Sequence, residues 1–447
     1  MNFSKRLMKN MRTEAPSLFG RSALTRSDVY RYHLHKLQTT LRYAAQNSSF
    51  YRELFQKANV SPEDILTLAD IEKIPLTEPE QVAASPFRFL CLSRSETARV
   101  HNFVTSGTTG PRKKIFWTKN DLDRIVCFLA AGIGTVSGRG DVVNVWLPAG
   151  LPYGQADLLC RGVKKIGARP VTAPMDISSE DHLRLIRETG VTVIFGLTRR
   201  ILRLTRELER FHDLSKLGVN ALFLTAEYLP DKARAYLQKT WNCRVRTHYG
   251  LTEMGLGVAV ECDSGGGYHF NEADLLAEIV DIETGRPVAP GEEGELVFTT
   301  LTREDMPLIR YRTRDISSLI TEPCSCDAKA LGKFAFVRKR VDGIMRLAGG
   351  EELYPALLDG ALMDMPGFID YRAVIDRVND MEILRLNVEL IQSDPGKIPE
   401  IMKRLLDVPA LAKSVNAGKM MDPLIEIVAS GDMRNTDTRK RLITDRR

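Results

Sequence analysis

VVNVWLPAG, residues 142–150, opens the stretch of the chain that decides the fold. Two further β-rich runs follow it, VTVIFGL (191–197) and ALFLTAE (221–227), with RPVTAP (169–174) as a shorter one. Helical segments separate these runs, at 155–167, at 180–190 and near 200–214. Short β-rich runs that alternate with helices of this length are typical of βαβ units and a mostly parallel sheet. The sequence therefore predicts an α/β fold.

Outward from this stretch, the pattern changes on both sides. Towards the N-terminus, apolar residues at three-to-four spacing predict a helix from about Arg26 to Ala58, within a helical start that covers about 1–85. The residues that carry this spacing are Tyr30, Leu34, Leu37, Leu41 and Ala44. Towards the C-terminus, two alternating runs between about Glu278 and Thr300 flank a Gly- and Pro-rich turn, which predicts a β-hairpin in a barrel-like part.

A domain boundary is expected where a charged segment, Arg338 to Gly343, precedes a fresh run of elements. The prediction is a large N-terminal domain over 1–340, with mostly parallel sheets, and a small α+β lid domain over 341–447. At 447 residues the chain is longer than one ordinary core requires, so two or more lobes are expected.

Composition limits the function classes. Hydrophobic residues make up 43% of the chain and charged residues 27%, with a formal net charge of +6 that is spread along the length. This mild balance suits anionic nucleotides and does not indicate nucleic acid as a partner. No run approaches the roughly 18 to 20 apolar residues of a membrane span, and the basic start has no signal-peptide pattern. With seven cysteines, an odd number, the expectation is a cytoplasmic protein without membrane partners.

VTSGTTGPRKK (104–114) has the composition of a phosphate-binding loop. Its glycines allow backbone N–H groups to turn towards an anion, its hydroxyls add donors, and Lys113 and Lys114 supply positive charge. The pattern is neither GxxxxGK[ST] nor GxGxxG. It closely resembles the phosphate loop of the acyl-adenylate-forming (AMP-binding) superfamily, TSGTTGxPK, although the proline stands one place early, at Pro111. The resemblance makes Ser106, Gly107, Thr108, Thr109, Gly110 and Lys113 candidate ATP ligands.

THYGLTEMG (247–255) resembles the YGxTE segment of the same superfamily, and it follows the phosphate loop in the required order. The resemblance implies that Tyr249 and Gly250 lie beside the adenine and that Thr252 binds the phosphates. It also implies that Glu253 helps to hold Mg²⁺, an ion that prefers oxygen ligands and is commonly bound by one carboxylate together with substrate phosphates.

Two further segments complete the superfamily pattern. YRTRDIS (311–317) resembles the segment whose aspartate, here Asp315, accepts hydrogen bonds from both ribose hydroxyls. KRVD (339–342) resembles the GRxD hinge, with Lys339 in place of the glycine. This weaker match implies that Arg340 contacts the nucleotide and that Asp342 is the pivot of the lid.

GGYHFNEADLLAEIVDIETGRPVAPGEEGELVFTTL (266–301) and MPLIRYRTRDIS (306–317) closely resemble the phenylacetate–CoA ligase branch of the superfamily, and this resemblance runs over nearly the whole chain. It implies that ATP and a carboxylic acid give acyl-AMP and pyrophosphate, and that the acyl group then passes to coenzyme A. The branch favours an aromatic acid, with an aliphatic acid as the alternative. A homodimer is a further expectation from the branch. Two alternatives remain open: a different acceptor, such as a carrier protein or another coenzyme, and a nucleotide-binding protein without catalysis.

The second alternative arises from the tail, RNTDTRKRLITDRR (434–447). The family usually places a catalytic lysine in a segment near RsxGKxxR, and the resemblance puts Thr438 at about the position of that lysine. Lys440 is the nearest candidate for that role, out of register, between Arg439 and Arg441.

Cys262, His269, Cys324 and Cys326 form a Cys-x6-His and Cys-x-Cys set in turn-like segments. Three thiolates and one imidazole are a common closed set for structural Zn²⁺, although this spacing belongs to no standard finger or ribbon and ordinary core cysteines are the alternative. Some relatives in the branch hold a metal in a similar segment, which favours zinc.

Four further residues are candidates for the substrate or nucleotide site. Tyr153 and Gly154, in a loop after a predicted strand, are candidates for the wall of the acyl pocket. His248 either lines that pocket or packs in the core, and Glu227 either faces the adenine or caps a helix.

Overall fold

The computed structural model describes residues 3–19, 24–103, 113–322, 324–433 and 441–447. The chain divides into two compact units, each assembled from several segments. Unit 1 comprises residues 1–141, 148–170 and 248–337, and unit 2 comprises residues 142–147, 171–247 and 338–447. The domain boundary at 340/341 stays a prediction.

Unit 1 begins with helices. Their bounds are Phe3–Glu14 (α1), Arg26–Asn47 (α2), Ser49–Ala58 (α3), Pro79–Ala84 (α4), Lys119–Ile133 (α5) and Gln155–Lys165 (α6). The prediction of a single helix from Arg26 to Ala58 is wrong in one respect, because Ser48 interrupts it and separates α2 from α3. This residue has an extended backbone, and its hydroxyl accepts a hydrogen bond from Tyr51 N (3.4 Å), so it caps a new helix.

The strands of unit 1 are short and mostly antiparallel. Their bounds are Arg99–Phe103 (β1), Lys113–Trp117 (β2), Ala259–Glu261 (β8), Tyr268–Phe270 (β9), Leu275–Val280 (β10), Gly294–Thr300 (β11), Tyr311–Ser317 (β12), Leu319–Ile320 (β13) and Lys333–Phe334 (β14). The predicted hairpin is confirmed: β10 and β11 pair antiparallel from Leu275↔Thr300 to Val280↔Glu295, and β12 continues the sheet beside β11.

Unit 2 contains the predicted βαβ region. Its strands are Val142–Trp146 (β3), Val193–Leu197 (β5) and Ala221–Thr225 (β6), and two more strands, Arg169–Thr172 (β4) and Arg244–Tyr249 (β7), run across the division between the units. β3, β5 and β6 pair in parallel, with almost every residue buried. Helices Ser179–Thr189 (α7), Thr198–Leu208 (α8) and Asp231–Trp241 (α9) connect the strands, which confirms the α/β prediction.

The C-terminal part of unit 2 is a small sheet with helices, as predicted. Strand Phe368–Val378 (β18) pairs antiparallel with Met381–Leu390 (β19), and Leu424–Val428 (β20) and Ile443–Asp445 (β21) add parallel strands at the two edges. Three helices accompany them, Pro355–Leu362 (α10), Ile398–Leu406 (α11) and Pro409–Asn416 (α12), after the short strands Lys339–Arg340 (β15), Met345–Arg346 (β16) and Glu352–Leu353 (β17).

One hydrophobic core joins this C-terminal sheet to the parallel strands of unit 2. Leu222 on β6, Leu202 on α8 and Leu384 on β19 belong to the same buried cluster. In the described part of the chain, no helix has both the length and the apolar character that a bilayer crossing requires.

Candidate nucleotide and metal sites

The phosphate loop lies between two paired strands. Phe103 ends β1 and lies opposite Lys113, which begins β2. Ser106, Gly107, Thr108, Thr109 and Gly110 themselves lie outside the described residues. The candidate cation Lys113 is described, and it is buried.

Lys113 forms a buried cluster with Glu253 and Tyr311. Lys113 Nζ donates to Glu253 Oε1 (2.6 Å) and contacts the Tyr311 hydroxyl (2.7 Å), which in turn donates to the same carboxylate oxygen (2.7 Å). Burial raises the pKa of Glu253, but the charge and hydrogen bonds of its two partners outweigh burial and bring the pKa below its usual value. The structure therefore holds an ionised carboxylate at the candidate magnesium position.

Arg303 fixes the backbone of the same turn. Thr252 and Glu253 lie in a short 3₁₀ turn, Thr252–Met254, and Arg303 Nη1 donates to the Glu253 carbonyl (2.6 Å). The guanidinium is buried over the Trp117 ring, 4.1 Å from its centroid, and burial lowers the pKa of Arg303 to about 10. Neither Tyr311 nor Arg303 was predicted as a site residue, although Tyr311 begins the YRTRDIS motif that contains Asp315.

Tyr249 and Asp315 come from the two motifs that were assigned to the nucleoside. The Tyr249 hydroxyl donates to Asp315 Oδ2 (2.6 Å), and both residues are buried. Asp315 lies where the β11–β12 register shifts, beside Arg314, which has a positive φ of 64°. A bulge of this kind re-aims a side chain, here towards Tyr249.

Gly250 follows Tyr249 at a point where the backbone is crowded. A Cβ at this position would lie 2.3 Å from the Leu256 carbonyl oxygen and 3.1 Å from His248 Cε1, so only glycine fits. His248 is buried, and burial lowers its pKa to about 4, which keeps the imidazole neutral at physiological pH.

Aromatic rings surround Tyr249. Its centroid lies 5.6 Å from that of Phe334 on β14, edge to face, and 6.2 Å from that of Tyr268 on β9. Phe334 and Tyr268 lie opposite each other in the β9–β14 pair. The tyrosine assigned to the adenine is therefore supported by these two short strands.

One of these two strands, β9, carries His269 of the candidate metal cluster. The ligand atoms of Cys262, His269, Cys324 and Cys326 all lie within 4.8 Å of one another. The Sγ atoms of Cys262 and Cys324 are 3.2 Å apart, and Cys326 Sγ lies 3.2 Å from His269 Nε2. Three sulfurs and one imidazole nitrogen that converge in this way have the chemistry of a closed tetrahedral site.

Tyr153 and Gly154 lie in a loop of unit 1. Tyr153 has a positive φ of 55°, and its backbone is held at both ends, because His101 Nε2 contacts its carbonyl (2.9 Å) and Asp157 accepts from its N–H (2.7 Å). The guanidinium of Arg161 lies over its ring, 4.5 Å from the centroid. A non-glycine residue held in this conformation is often functional, which fits a pocket wall.

The remaining candidates belong to unit 2. Arg340 Nε donates to Asp342 Oδ1 (3.0 Å), so the two residues of the hinge motif pair with each other, and Asp342 lies in the turn Val341–Gly343. Lys440 lies outside the described residues. Glu227 forms a buried ion pair with Arg199 on α8 (Nε to Oε1, 2.6 Å), and its proposed position at the adenine stays a prediction.

Comparisons with known proteins agree with this arrangement. Residues 77–301 match the model of the family described as AMP-binding enzyme. The phenylacetate–coenzyme A ligase of Aromatoleum evansii is 30% identical over 390 residues, which cover 84% of this chain and 85% of the relative. That of Escherichia coli (strain K12) is 30% identical over 366 residues, covering 80% and 82%.

Among solved structures, a 2-hydroxyisobutyryl-CoA ligase in the postadenylation state has the same fold. It matches with a TM-score of 0.79 and 22% identity over 93% of this chain and 90% of its own. The family match defines the class of protein: the chain is an adenylate-forming ligase, a member of the AMP-binding enzyme family. Within that family it belongs to the phenylacetate–coenzyme A ligase branch.

Proposed function

We propose that this enzyme activates an aromatic carboxylic acid and transfers the acyl group to coenzyme A. In the first step a carboxylate oxygen attacks the α-phosphorus of ATP and pyrophosphate leaves. In the second step the thiol sulfur attacks the acyl carbon, AMP leaves, and the thiol proton passes to solvent. The relatives' name supports phenylacetate or a similar acid as the substrate.

The observation that carries the proposal is the buried contact between Tyr249 and Asp315, residues 66 positions apart in the chain. A carboxylate that accepts from a tyrosine hydroxyl is equally able to accept from the vicinal hydroxyls of a ribose, beside a flat aromatic ring for the adenine. We assign the ribose to Asp315, the adenine to Tyr249 and Gly250, and the phosphates to Thr252, Lys113 and the loop at 106–110.

Glu253 is suited to bind Mg²⁺, because its carboxylate is ionised and buried and pairs with Lys113, the first residue of β2. Mg²⁺ bound there together with ATP phosphates would neutralise part of the negative charge of the triphosphate. Arg303 keeps the Glu253 backbone in place, and Tyr311 orients its side chain. We assign Arg340 to the nucleotide and Asp342 to the pivot of the lid. We assign Tyr153, Gly154 and His248 to the acyl pocket.

A second candidate function follows from one specific feature, the threonine at position 438 where relatives have lysine. Without that lysine the protein would bind nucleotide and not adenylate, or it would use Lys440. The acceptor also has an alternative, a carrier-protein thiol or another coenzyme. A homodimer and a cytoplasmic location stay predictions.

Pyrophosphate release from ATP with a panel of acids, with and without coenzyme A, tests these alternatives together. We expect release with arylacetic acids and acyl-CoA formation only when coenzyme A is added. Release without any acyl-CoA would favour another acceptor. No release with any acid, from protein that still binds ATP, would favour the noncatalytic alternative.

For the Cys₃His cluster we propose a structural Zn²⁺ ion. The donor set, its convergence and the contact of His269 Nδ1 with the Gly332 carbonyl (3.1 Å) all fit such an ion, which would tie β8, β9 and the turn before β14 together. Metal analysis of protein purified without chelator should find about one zinc per chain. Cys324→Ser should lose it and lower the melting temperature, and wild-type protein without zinc would contradict the proposal.

A further inference from the structure

A carboxylate outside the metal cluster is joined to it by two hydrogen bonds. Glu272 Oε2 accepts from the backbone N–H of Gly332 (2.5 Å), and the carbonyl of the same glycine accepts from His269 Nδ1 (3.1 Å). Because a carbonyl oxygen only accepts, Nδ1 carries the proton, and His269 Nε2 is the nitrogen that faces Cys326 Sγ (3.2 Å). One residue, Gly332, thus connects Glu272 to a candidate metal ligand through its N–H and its carbonyl.

Glu272 itself is held firmly. Its side chain has no exposed surface, and its second oxygen pairs with Arg26, at the start of α2. The backbone carbonyl of Glu272 accepts from His33 Nε2 (2.8 Å), and the next carbonyl, that of Ala273, accepts from the Tyr32 hydroxyl (2.7 Å). Three residues of α2 therefore fix the position from which Glu272 reaches Gly332.

Close approach is possible because residue 332 has no side chain. A Cβ there would lie 2.8 Å from Phe270 Cε1 and 3.2 Å from Glu272 Oε1, so any other residue would push the carboxylate away. Gly332 also ends the turn that carries Cys324 and Cys326, and the next residue, Lys333, pairs with His269 across β9 and β14. Glu272 therefore acts on both halves of the cluster, the histidine and the turn with two cysteines.

We infer that Glu272 is a positioning residue of the metal site: through Gly332 it fixes the tautomer and orientation of His269 and the end of the cysteine turn. The inference rests on the zinc site proposed above. Partners of this kind commonly change metal affinity by 10- to 100-fold when they are removed. Arg26 and α2 would thereby be coupled to zinc retention, although α2 contributes none of the four ligands.

The test uses the full-length, zinc-loaded protein and measures the rate of zinc transfer to a chromogenic chelator in excess. Glu272→Gln keeps a neutral acceptor, and Glu272→Met leaves none, so we expect release to be at least about tenfold faster in E272Q and faster again in E272M. The matched control is Glu278→Gln, since Glu278 is a buried acid of the same unit that pairs with Arg310 instead (2.9 Å). In cobalt-substituted protein, the visible spectrum should change in E272Q and not in E278Q.

Zinc release at the wild-type rate from E272Q and E272M would overturn the inference, as would equal acceleration in E278Q, which would indicate general destabilisation. Should E272M fail to fold, E272Q decides the matter. Wild-type protein that carries no zinc would instead contradict the metal site itself, so the two failures are distinguishable.

Discussion

The hydrogen bond that the Asp315 carboxylate accepts from Tyr249 suggests how it would bind a nucleotide. Its Oδ2 accepts from the Tyr249 hydroxyl at 2.6 Å, an interaction that a ribose diol can replace with two hydrogen bonds to the same carboxylate. We therefore expect Asp315→Ala to weaken ATP binding by about 1.5 to 3 kcal/mol, the range for hydrogen bonds to a charged group. Isothermal titration calorimetry with ATP and Mg²⁺ measures this directly.

The matched control for this prediction is Asp281→Ala. Asp281 is exposed and accepts only from its own turn, from Glu283 N (3.2 Å) and from Thr284 N and Oγ1 (both 2.8 Å). Its removal should leave the ATP affinity unchanged. A folded D315A protein with wild-type affinity would show that another residue holds the ribose.

Asp305 gives a prediction about pH. Burial, with a contribution from the nearby Asp121 charge, raises the pKa of Asp305 to about 6, while in the unfolded chain the carboxyl has its ordinary pKa. The ionised form therefore destabilises the fold above pH 6, and this cost disappears as the pH falls towards 4. Asp305→Asn should stabilise the protein by on the order of 1 kcal/mol at pH 7.5 and by almost nothing at pH 4.

Urea unfolding of D305N and wild type at the two pH values measures the difference. The amide retains an oxygen that can accept from Thr97 Oγ1, which lies 2.8 Å from the present carboxylate. A variant that is less stable than wild type at pH 7.5 would mean that the ionised carboxylate is needed where it lies.

At the residue scale, sequence reasoning depends on short motifs and therefore finds residues that lie within them. Tyr249, Glu253 and Asp315 were chosen in this way, and the structure brings Tyr249 into contact with Asp315. Arg303 was missed because it lies in no motif and its contact with the Glu253 backbone spans 50 residues. Tyr311 was missed because a strand tyrosine carries no local signal that its hydroxyl meets Lys113, 198 residues away.

Helix α8 is the element in which local pattern and tertiary role differ most. Arg199, Arg203 and Arg206 recur on one face, a spacing that ordinarily indicates a solvated basic stripe. All three are buried instead. Arg199 contacts Asp370 (3.2 Å), Arg203 binds Glu389 with both terminal nitrogens (2.6 and 2.9 Å), and Arg206 donates to the carbonyl of Met365 (3.1 Å).

These contacts predict how unit 2 responds to mutation. Arg203→Met should destabilise the protein by about 3 to 5 kcal/mol, because it removes the positive charge beside the buried Glu389 carboxylate. Among the described residues, the N–H groups of Gly431 (2.6 Å) and Met433 (3.2 Å) would remain as its hydrogen-bond donors. The double variant Arg203→Met with Glu389→Leu should recover most of that loss, since it removes the uncompensated charge. Equilibrium unfolding in urea provides both values.

Arg184→Met on α7 is the control, because Arg184 is 65% exposed and pairs with a neighbour on its own helix. Its effect should stay below about 0.5 kcal/mol. If R203M were as stable as R184M, the buried pair would contribute nothing to the stability of unit 2.

At the scale of elements, hydrophobic period and turn residues predicted the strands that alternate with helices and the β10–β11 hairpin. The helix break at Ser48 was missed, although a serine pair before Phe50 and Tyr51 is itself a capping signal. The burial of the α8 arginines could not be predicted from the local pattern, because two of their acidic partners, Asp370 and Glu389, lie 171 and 186 positions along the chain.

At the scale of the whole molecule, the question is which compact unit contains the C-terminal region. The sequence suggests a boundary near residue 340, yet residues 338–447 belong to one compact unit with 142–147 and 171–247. Leu384 and Leu222 lie in the same core, a contact between distant segments that hydrophobic periodicity cannot reveal. The tail returns to this unit as well, where Arg441 pairs with Asp359 and Asp370.

Arg441 pairs with Asp359 and Asp370, and the residue before it in the sequence, Lys440, is therefore the position at which we test the role of the tail. Adenylation requires a cation near the carboxylate and the α-phosphate, because negative charge accumulates there as the new bond forms. Thr438 cannot provide it, whereas Lys440 adjoins an arginine that is anchored by two buried carboxylates. Changes at Thr438 and Lys440 should therefore affect acyl-AMP formation and largely spare the transfer of the acyl group to the thiol.

We expect Lys440→Ala to slow acyl-AMP formation at least about tenfold, equivalent to roughly 1.4 kcal/mol of transition-state stabilisation, and to spare thiolysis of supplied acyl-AMP. Thr438→Lys, which places a lysine where the superfamily resemblance implies one, should rescue adenylation in the K440A background. Single-turnover pyrophosphate release and thioester formation from synthetic acyl-AMP measure the two steps separately.

If K440A adenylates at the wild-type rate, the charge comes from elsewhere, and Lys113, with its ammonium 2.6 Å from Glu253, becomes the next residue to replace. If both steps slow equally, the lysine stabilises the fold of the tail and has no special part in adenylation.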